Sequence, residues 1–243
     1  MLRIYSFVLM ALSTLTGVAT ASDIRTTPTR VILDVNQKAG ALTVRNEDAR
    51  KAVMQVEVMK WSQDGVEDRY EPSRDLLANP VIFEVAPGAE QVIRIGLQVG
   101  EDARERAYRI FLQEVPAKDD TRTGATALLR IGIPVFVPPM REDHVLKWTV
   151  KPAARGKLSV TVLNEGSIHS EIINLRIVDH QGQVLSKEEI LSYVLPGQKR
   201  TWEIATTATF QSRQAVQLEA LTDFQEMRAQ LELEPLPPAN GRK

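Results

Sequence analysis

The sequence predicts an all-β protein made of two antiparallel β-sandwich domains. Val, Ile and Leu recur at alternate positions in most segments, which is the period of a strand with one buried face. Turn residues such as Pro87-Gly88 and Pro196-Gly197 separate these segments at intervals of about eight to twelve residues. No segment shows a long 3.6-residue period, so helices are not expected.

The first residues have the pattern of a secretory signal peptide. Arg3 provides a short positive region, residues 4–18 are mostly apolar, and Ala19-Thr20-Ala21 offers small residues before a cleavage point. A membrane anchor is the weaker interpretation, because the apolar stretch is short and contains Ser and Thr. We expect export, with cleavage after Ala21.

Charge and cysteine content narrow the function classes. Removal of residues 1–21 takes away Arg3 and no acid, so the formal net charge of −1 becomes −2. A nearly neutral protein is not expected to bind nucleic acid generally. The chain has no cysteine, which excludes disulfides, thiol catalysis and thiolate metal sites. No later segment is long and apolar enough to predict stable membrane insertion.

Seven strands are expected in the first domain, residues 22–139, and seven in the second, residues 140–243. The Pro138-Pro139 pair is the expected hinge between them. In the first domain the expected strands are 29–35, 40–46, 52–61, 80–85, 90–97, 107–115 and 125–137. In the second they are 144–150, 157–164, 171–179, 183–186, 199–204, 215–221 and 228–234.

The stretch RIGIPVFVPP, residues 130–139, is an unusual strand. Ile131, Ile133 and Val135 alternate as on a buried face, yet Pro134 interrupts the run. Proline has no N–H for a strand ladder, so we expect an edge strand. Apolar edge strands promote aggregation and are normally blunted. The stripe is either an ordinary core face or a surface offered to another protein by β-augmentation.

The sequence does not indicate an enzyme. Its three histidines, His144, His169 and His180, lack the spacing of a metal pair on a helix. No nucleophile elbow, phosphate loop or dinucleotide fingerprint is present. We therefore expect no catalytic residues, no metal and no cofactor.

Five segments in order resemble the periplasmic pilus (fimbrial) assembly chaperones, the PapD-like family. They are TRVIL, NPVIFEVAPG, QVIRI, YRIFLQEVP and LLRIGIPVFVPP. The resemblance covers the first domain and continues more weakly through the second. The segments YRIFLQEVP and RIGIPVF suggest the archaic, non-classical branch.

This resemblance implies two immunoglobulin-like domains in an L-shaped arrangement and a non-enzymatic role in the periplasm. The partners it implies are pilus subunits, which lack one strand, and an outer-membrane usher; self-association of the free protein is left open. The last strand of the first domain would complete the subunit by donor-strand complementation. The donor side chains would be Ala127, Leu129, Ile131 and Ile133.

The resemblance also implies a basic anchor for the carboxylate at the subunit's C-terminus. Arg30 falls on the family's first cleft arginine, directly before the apolar VILDV. Pro134 takes the place of the second cation, which is lysine in the classical branch. Arg130, about 13 Å away along the same strand face, and Lys147, past the hinge, are the two candidate replacements.

An interdomain charge network is implied as well. Glu105 and Asp223 match two of its members, and the third, normally basic, falls where Pro138 stands. Arg141 is the nearest cation, and we expect charge rather than a large apolar interface to hold the hinge.

Two other functions remain open at this point. A structural or adhesive pilus component would lack one strand and carry an N-terminal donor extension. A hydrolase or sugar-binding module on the same fold would show a clustered His/Asp/Glu pocket, because fold alone does not settle function.

Overall fold

A computed structural model describes residues 23–65, 67–100, 102–116, 128–153, 156–206 and 214–233. This described part contains 17 β-strands and no helix. No helix long and apolar enough to cross a membrane was found among these residues.

Ten strands form the first half of the molecule. They are β1 (Ile24–Thr27), β2 (Val31–Ile32), β3 (Ala39–Asn46), β4 (Ala52–Gln63), β5 (Asp68–Pro72), β6 (Leu76–Asn79), β7 (Ile82–Val85), β8 (Glu90–Leu97), β9 (Arg106–Val115) and β10 (Arg130–Val137).

These ten strands form two sheets that bury one core. One sheet has the order β1-β3-β8-β6, and the other has the order β2-β10-β9-β4-β5, with β7 paired to β4. Leu42 and Ile93 from the first sheet pack in one cluster with Ile110 and Leu112 from the second, and all four are fully buried. The apolar residues that alternate along the sequence therefore form the inner faces of the sandwich.

Seven strands form the second half. They are β11 (Leu146–Ala153), β12 (Lys157–Asn164), β13 (Ser170–Val178), β14 (Val184–Val194), β15 (Lys199–Ala205), β16 (Ala215–Thr222) and β17 (Glu226–Glu232). Their sheets have the orders β11-β12-β15 and β14-β13-β16-β17, and Val160, Leu175 and Leu218 belong to the core between them. The all-β, two-sandwich fold that the sequence predicts is confirmed.

Three differences from the expected strands have physical causes. The sequence did not indicate β5 or β6, because DRYEP is largely polar and LLAN is only four residues long. β14 extends to Val194, well beyond the expected 183–186, and Lys187, Glu188 and Glu189 are exposed on this edge strand. An edge strand needs no apolar alternation where both its faces meet water.

Candidate functional site

β10 lies almost at the edge of its sheet. On one side it pairs antiparallel with β9 along its whole length, from Arg130 opposite Gln113 to Val137 opposite Arg106. On the other side β2 pairs with it in parallel at only two positions, Val135 and Phe136. Among the described residues, no strand covers β10 on this side over Arg130–Pro134. We call this stretch of unpaired main chain the open edge.

The main chain of Pro134 faces the open edge. The N–H of Glu114 donates to the carbonyl of Leu129, so Leu129 turns toward β9, whereas the carbonyl of Phe136 accepts from the N–H of Leu33 on the opposite side. Since the direction alternates at each residue, Arg130, Gly132 and Pro134 point away from β9. The missing N–H of Pro134 therefore leaves the β9–β10 ladder intact, which explains how proline is tolerated here.

The apolar stripe of β10 faces the core of the first domain and becomes less buried toward its start. Val135 is fully buried and Ile133 is 3% exposed. Ile131 and Leu129 are half-buried, and Ile131 packs at the rim of the core cluster. The accessible part of the predicted donor stripe is thus Leu129 and Ile131, while Ala127 lies outside the described residues.

Two arginines flank Pro134 from neighbouring strands. Arg109 of β9 is its direct cross-strand partner. In the parallel pairing, Val31 is level with Val135, so Arg30, one residue earlier, is level with Pro134. Val31 and Val135 both point into the core, and hence the residues before them present their side chains on the outer face. The row Arg30, Pro134, Arg109 therefore places a cation on each side of the proline.

Arg109 reaches over β10 to the open edge. Its Nη1 atom donates to the carbonyl of Gly132 at 3.2 Å, although that carbonyl points away from β9. A Cβ atom at Gly132 would lie 3.9 Å from Cδ of Arg109 and 3.0 Å from Cε1 of Phe111, so glycine leaves room for both side chains. The Nε atom of Arg109 is buried, and the described residues supply no hydrogen-bond partner for it.

Tyr193 of the second domain lies near both arginines. The guanidinium of Arg109 is 5.7 Å from its ring centroid, and Arg30 and Arg109 both act on its hydroxyl electrostatically. Burial, followed by the charge of Glu171, raises the pKa of Tyr193 to about 12, against the opposing pull of the two arginines. The phenol therefore stays neutral and able to donate a hydrogen bond at physiological pH.

Arg30 and the predicted network acids meet at one histidine. Nη1 of Arg30 lies 3.1 Å from Oδ2 of Asp223. The same Oδ2 is 3.8 Å from Nε2 of His169, whose Nδ1 lies 2.7 and 2.9 Å from the two carboxylate oxygens of Glu105. The resemblance implied Glu105 and Asp223 as members of one network, and the structure places both beside His169.

Arg141 occupies a different position from the one expected of the network's cation. It is exposed, and its main-chain carbonyl accepts a hydrogen bond from Ser167. Among the described residues, the basic groups that contact Glu105 and Asp223 are His169 and Arg30.

An apolar cluster also joins the two domains. Trp61, Ala107 and Phe136 of the first domain pack with Leu195 of the second. The ring of Phe136 stacks on His169 with centroids 3.7 Å apart. Contrary to our expectation, the hinge is held by this apolar cluster as well as by charge.

Gln63 binds the main chain of the second domain within the same interface. Its Nε2 atom donates to the carbonyl of Tyr193 at 3.0 Å, and its Oε1 atom accepts from the N–H of Leu195 at 2.9 Å. Nearby, the guanidinium of Arg200 forms an ion pair with Asp68. The polar ends of the β4–β5 hairpin therefore attach it to the second domain.

The two candidate replacements for the second cation lie elsewhere. Arg130 packs over the ring of Phe111 at 4.1 Å and pairs with Glu57 at 3.5 Å. Lys147 pairs with Glu165 at 3.0 Å on the second domain. Neither is in the row that contains Arg30, whereas Arg109 is.

A comparison against protein families identifies the first domain. Residues 23–142 match the model of the PapD N-terminal domain, which is described as that of pili and flagellar-assembly chaperones. The chain belongs to the PapD-like pilus-assembly chaperones.

Solved structures of chaperones share the fold over most of the chain. One is the CsuC–CsuE chaperone–tip adhesion subunit complex from archaic Csu pili of Acinetobacter baumannii, with 19% identity, a TM-score of 0.63, and coverage of 90% of this chain and 100% of that one. The complex of the Salmonella enterica SafA pilin with the SafB chaperone matches with 17% identity and a TM-score of 0.59, and the match covers 87% of this chain and 98% of the matched chain. The E. coli chaperone DraB matches with 20% identity and a TM-score of 0.56, and the match covers 88% of this chain and 97% of DraB. A comparison with curated proteins found no match.

The sequence indicated neither Arg109 nor His169. Arg109 stands within YRIF, but only the strand register shows that it lies opposite Pro134. The three histidines lack the spacing of a metal pair, and no local pattern relates His169 to its two carboxylate neighbours, which are 64 and 54 positions away. A basic residue facing a proline across a chaperone's last two strands is the pattern that could have identified Arg109.

Proposed function

We propose that this protein is a periplasmic chaperone that holds incomplete pilus subunits by donor-strand complementation. The observation that carries the proposal is the open edge of β10, beside the half-buried Leu129 and Ile131. A subunit strand could continue the sheet there through main-chain hydrogen bonds, while its own core takes up the apolar side chains. Such an edge is a hazard unless a partner uses it.

We further propose that Arg30 and Arg109 together anchor the subunit's terminal carboxylate. Both lie level with Pro134, and the phenol of Tyr193, which is near both, stays neutral. Charge-assisted hydrogen bonds in a partly dry cleft are the strong ones, and guanidinium groups suit carboxylates geometrically. Arg130 and Lys147 already pair with Glu57 and Glu165, which supports Arg109 as the second cation.

The network of Glu105, His169, Asp223 and Arg30 fixes the two domains around this cleft in our proposal. We take residues 22–139 as the chaperone domain and 140–243 as the second domain. Sharing of Asp223 between Arg30 and His169 would couple the anchor to the interdomain angle.

The cellular setting follows from the same proposal. The protein would be exported, cleaved after Ala21, and would deliver its subunits to an outer-membrane usher without catalysing a reaction. The replacement of the second cation by Pro134 and the likeness to the chain from archaic Csu pili favour the archaic branch.

The test is recovery of the bound subunit. A C-terminally tagged protein is expressed in its native host, purified from periplasmic extract, and its bound proteins are identified by mass spectrometry. The expected partner is a secreted β-rich subunit that degrades when the chaperone gene is deleted. Recovery of the tagged protein without any such subunit, from cells that are assembling pili, would overturn the proposal.

A further inference from the structure

The open edge of β10 has a potential partner in every other copy of the protein. The main chains of Arg130 and Gly132 point outward, and the described residues provide no strand that pairs with them. Two such edges can pair with each other as readily as with a client, because main-chain hydrogen bonds carry no sequence information.

One outward carbonyl is nevertheless occupied. Nη1 of Arg109 donates to the carbonyl of Gly132, and the arginine comes from β9, on the far side of β10. Its stem passes over the place where a side chain at position 132 would stand. The guanidinium also stacks on Trp61 at 4.1 Å, which holds it in this position.

We infer that Arg109 caps the open edge of β10 in the free protein and thereby disfavours pairing with strands other than a client's. An added strand needs the carbonyl of Gly132 for one of its own N–H groups, so it must displace Nη1 or share the oxygen with it. A charged group at a sheet edge is a known device against edge-to-edge association. Here the charged group belongs to β9, and its side chain crosses β10 to reach the open edge.

In the free protein the same guanidinium lies 5.7 Å from the ring centroid of Tyr193, on which the charge of Arg30 also acts. A strand that ends in a carboxylate in this cleft gives the guanidinium a new partner, whereas the edge of a second copy is continuous chain and brings no terminal carboxylate. The cap therefore selects for strands with a nearby C-terminus. This selection rests on the proposed function, but the capping of the free edge does not.

Sedimentation velocity of the purified protein without any client tests the inference. Arg109→Met keeps the length of the stem and removes the donor, so the dissociation constant for self-association should fall about tenfold relative to wild type. Arg106→Met is the matched control, because Arg106 also lies on β9 and donates to a main-chain carbonyl, that of Gly100 at 3.0 Å, away from the edge. It should associate like wild type.

A second substitution locates the contact. Arg130→Pro removes an outward N–H from the open edge, so Arg109→Met/Arg130→Pro should return to the wild-type dissociation constant. Arg109→Gln, which is too short to cross β10, repeats the test with a different side chain. The inference is overturned if both Arg109 variants associate no more than wild type, or if the Arg130→Pro double variant still associates strongly. If the wild-type protein recovers no subunit from the periplasm, the proposed function is overturned but the capping of the edge is not, because self-association is measured without a subunit.

Discussion

The carboxylate of Glu105 holds the imidazole of His169 across the domain boundary, with Nδ1 2.7 Å from Oε1 and the two side chains 2% and 8% exposed. The same carboxylate oxygen also accepts the main-chain N–H of residue 169 at 3.0 Å. A carboxylate this deeply buried requires both partners, because desolvation of an unpaired charge is costly. The pair therefore links the start of β9 to the second domain.

His169→Leu should destabilise the protein by about 3 kcal/mol, since it leaves the buried Glu105 without its side-chain partner. Urea unfolding measures the change. His180→Leu is the matched control, because His180 is exposed in a turn, and it should change the free energy of unfolding by less than about 0.5 kcal/mol. Glu105→Gln combined with His169→Leu should recover part of the loss. A single variant as stable as wild type would show that the pair contributes nothing to folding.

Arg30→Ala should weaken subunit binding by about one to two decades, the value of a charge-assisted hydrogen bond of roughly 1.5–3 kcal/mol. Folding should be little affected, because the exposed pair with Asp223 contributes at most about 1 kcal/mol. The measurement is the amount of subunit recovered from the periplasm. Arg25→Ala is the control: it removes an arginine whose side chain is 67% exposed and pairs with Glu47. Wild-type recovery with Arg30→Ala would contradict the anchor.

Sequence reasoning succeeded where the chemistry is local. The alternation around Ile131 and Ile133 predicts a strand with one buried face, as observed. Pro134 predicts an edge strand, and β10 is unpaired on one side over Arg130–Pro134, although β2 pairs with it just beyond. The structure adds the direction of each main-chain group, which shows that the proline faces the unpaired side.

What the sequence could not indicate depends on register between distant segments. Arg109 meets Pro134 only because β9 and β10 pair at one register, and a shift of one residue would move its side chain to the other face. His169 meets Glu105 only because the two domains pack at the hinge. The polar segment of β5 became a strand because Asp68, Arg69 and Tyr70 pair with the end of β4 at the sheet edge.

Tyr193→Phe should make the protein more resistant to alkali. Burial and the neighbouring Glu171 raise the pKa of Tyr193 to about 12, from an ordinary value of 10. The folded state therefore keeps its proton where the unfolded state loses it, so stability is full below pH 10 and declines as the pH rises toward 12. Urea unfolding between pH 8 and 11.5 should show a smaller decline for the variant. An equal decline would assign the alkaline effect to other groups, such as Tyr108, whose pKa burial also raises.

Ile131→Asp should abolish subunit recovery while the chaperone remains folded. Ile131 is half-buried at the rim of the core, so a carboxylate there can still reach water in the free protein, whereas a subunit's groove would enclose it without a partner. Thermal unfolding of the free variant and co-purification of the subunit are measured together. Leu128→Asp is the control, since Leu128 is 41% exposed and lies outside the stripe; it should retain the subunit. Ile133→Asp should unfold the protein, because Ile133 is 3% exposed in the core. If Ile131→Asp unfolds as well, the stripe is an ordinary core face and the donor-strand proposal fails at this residue.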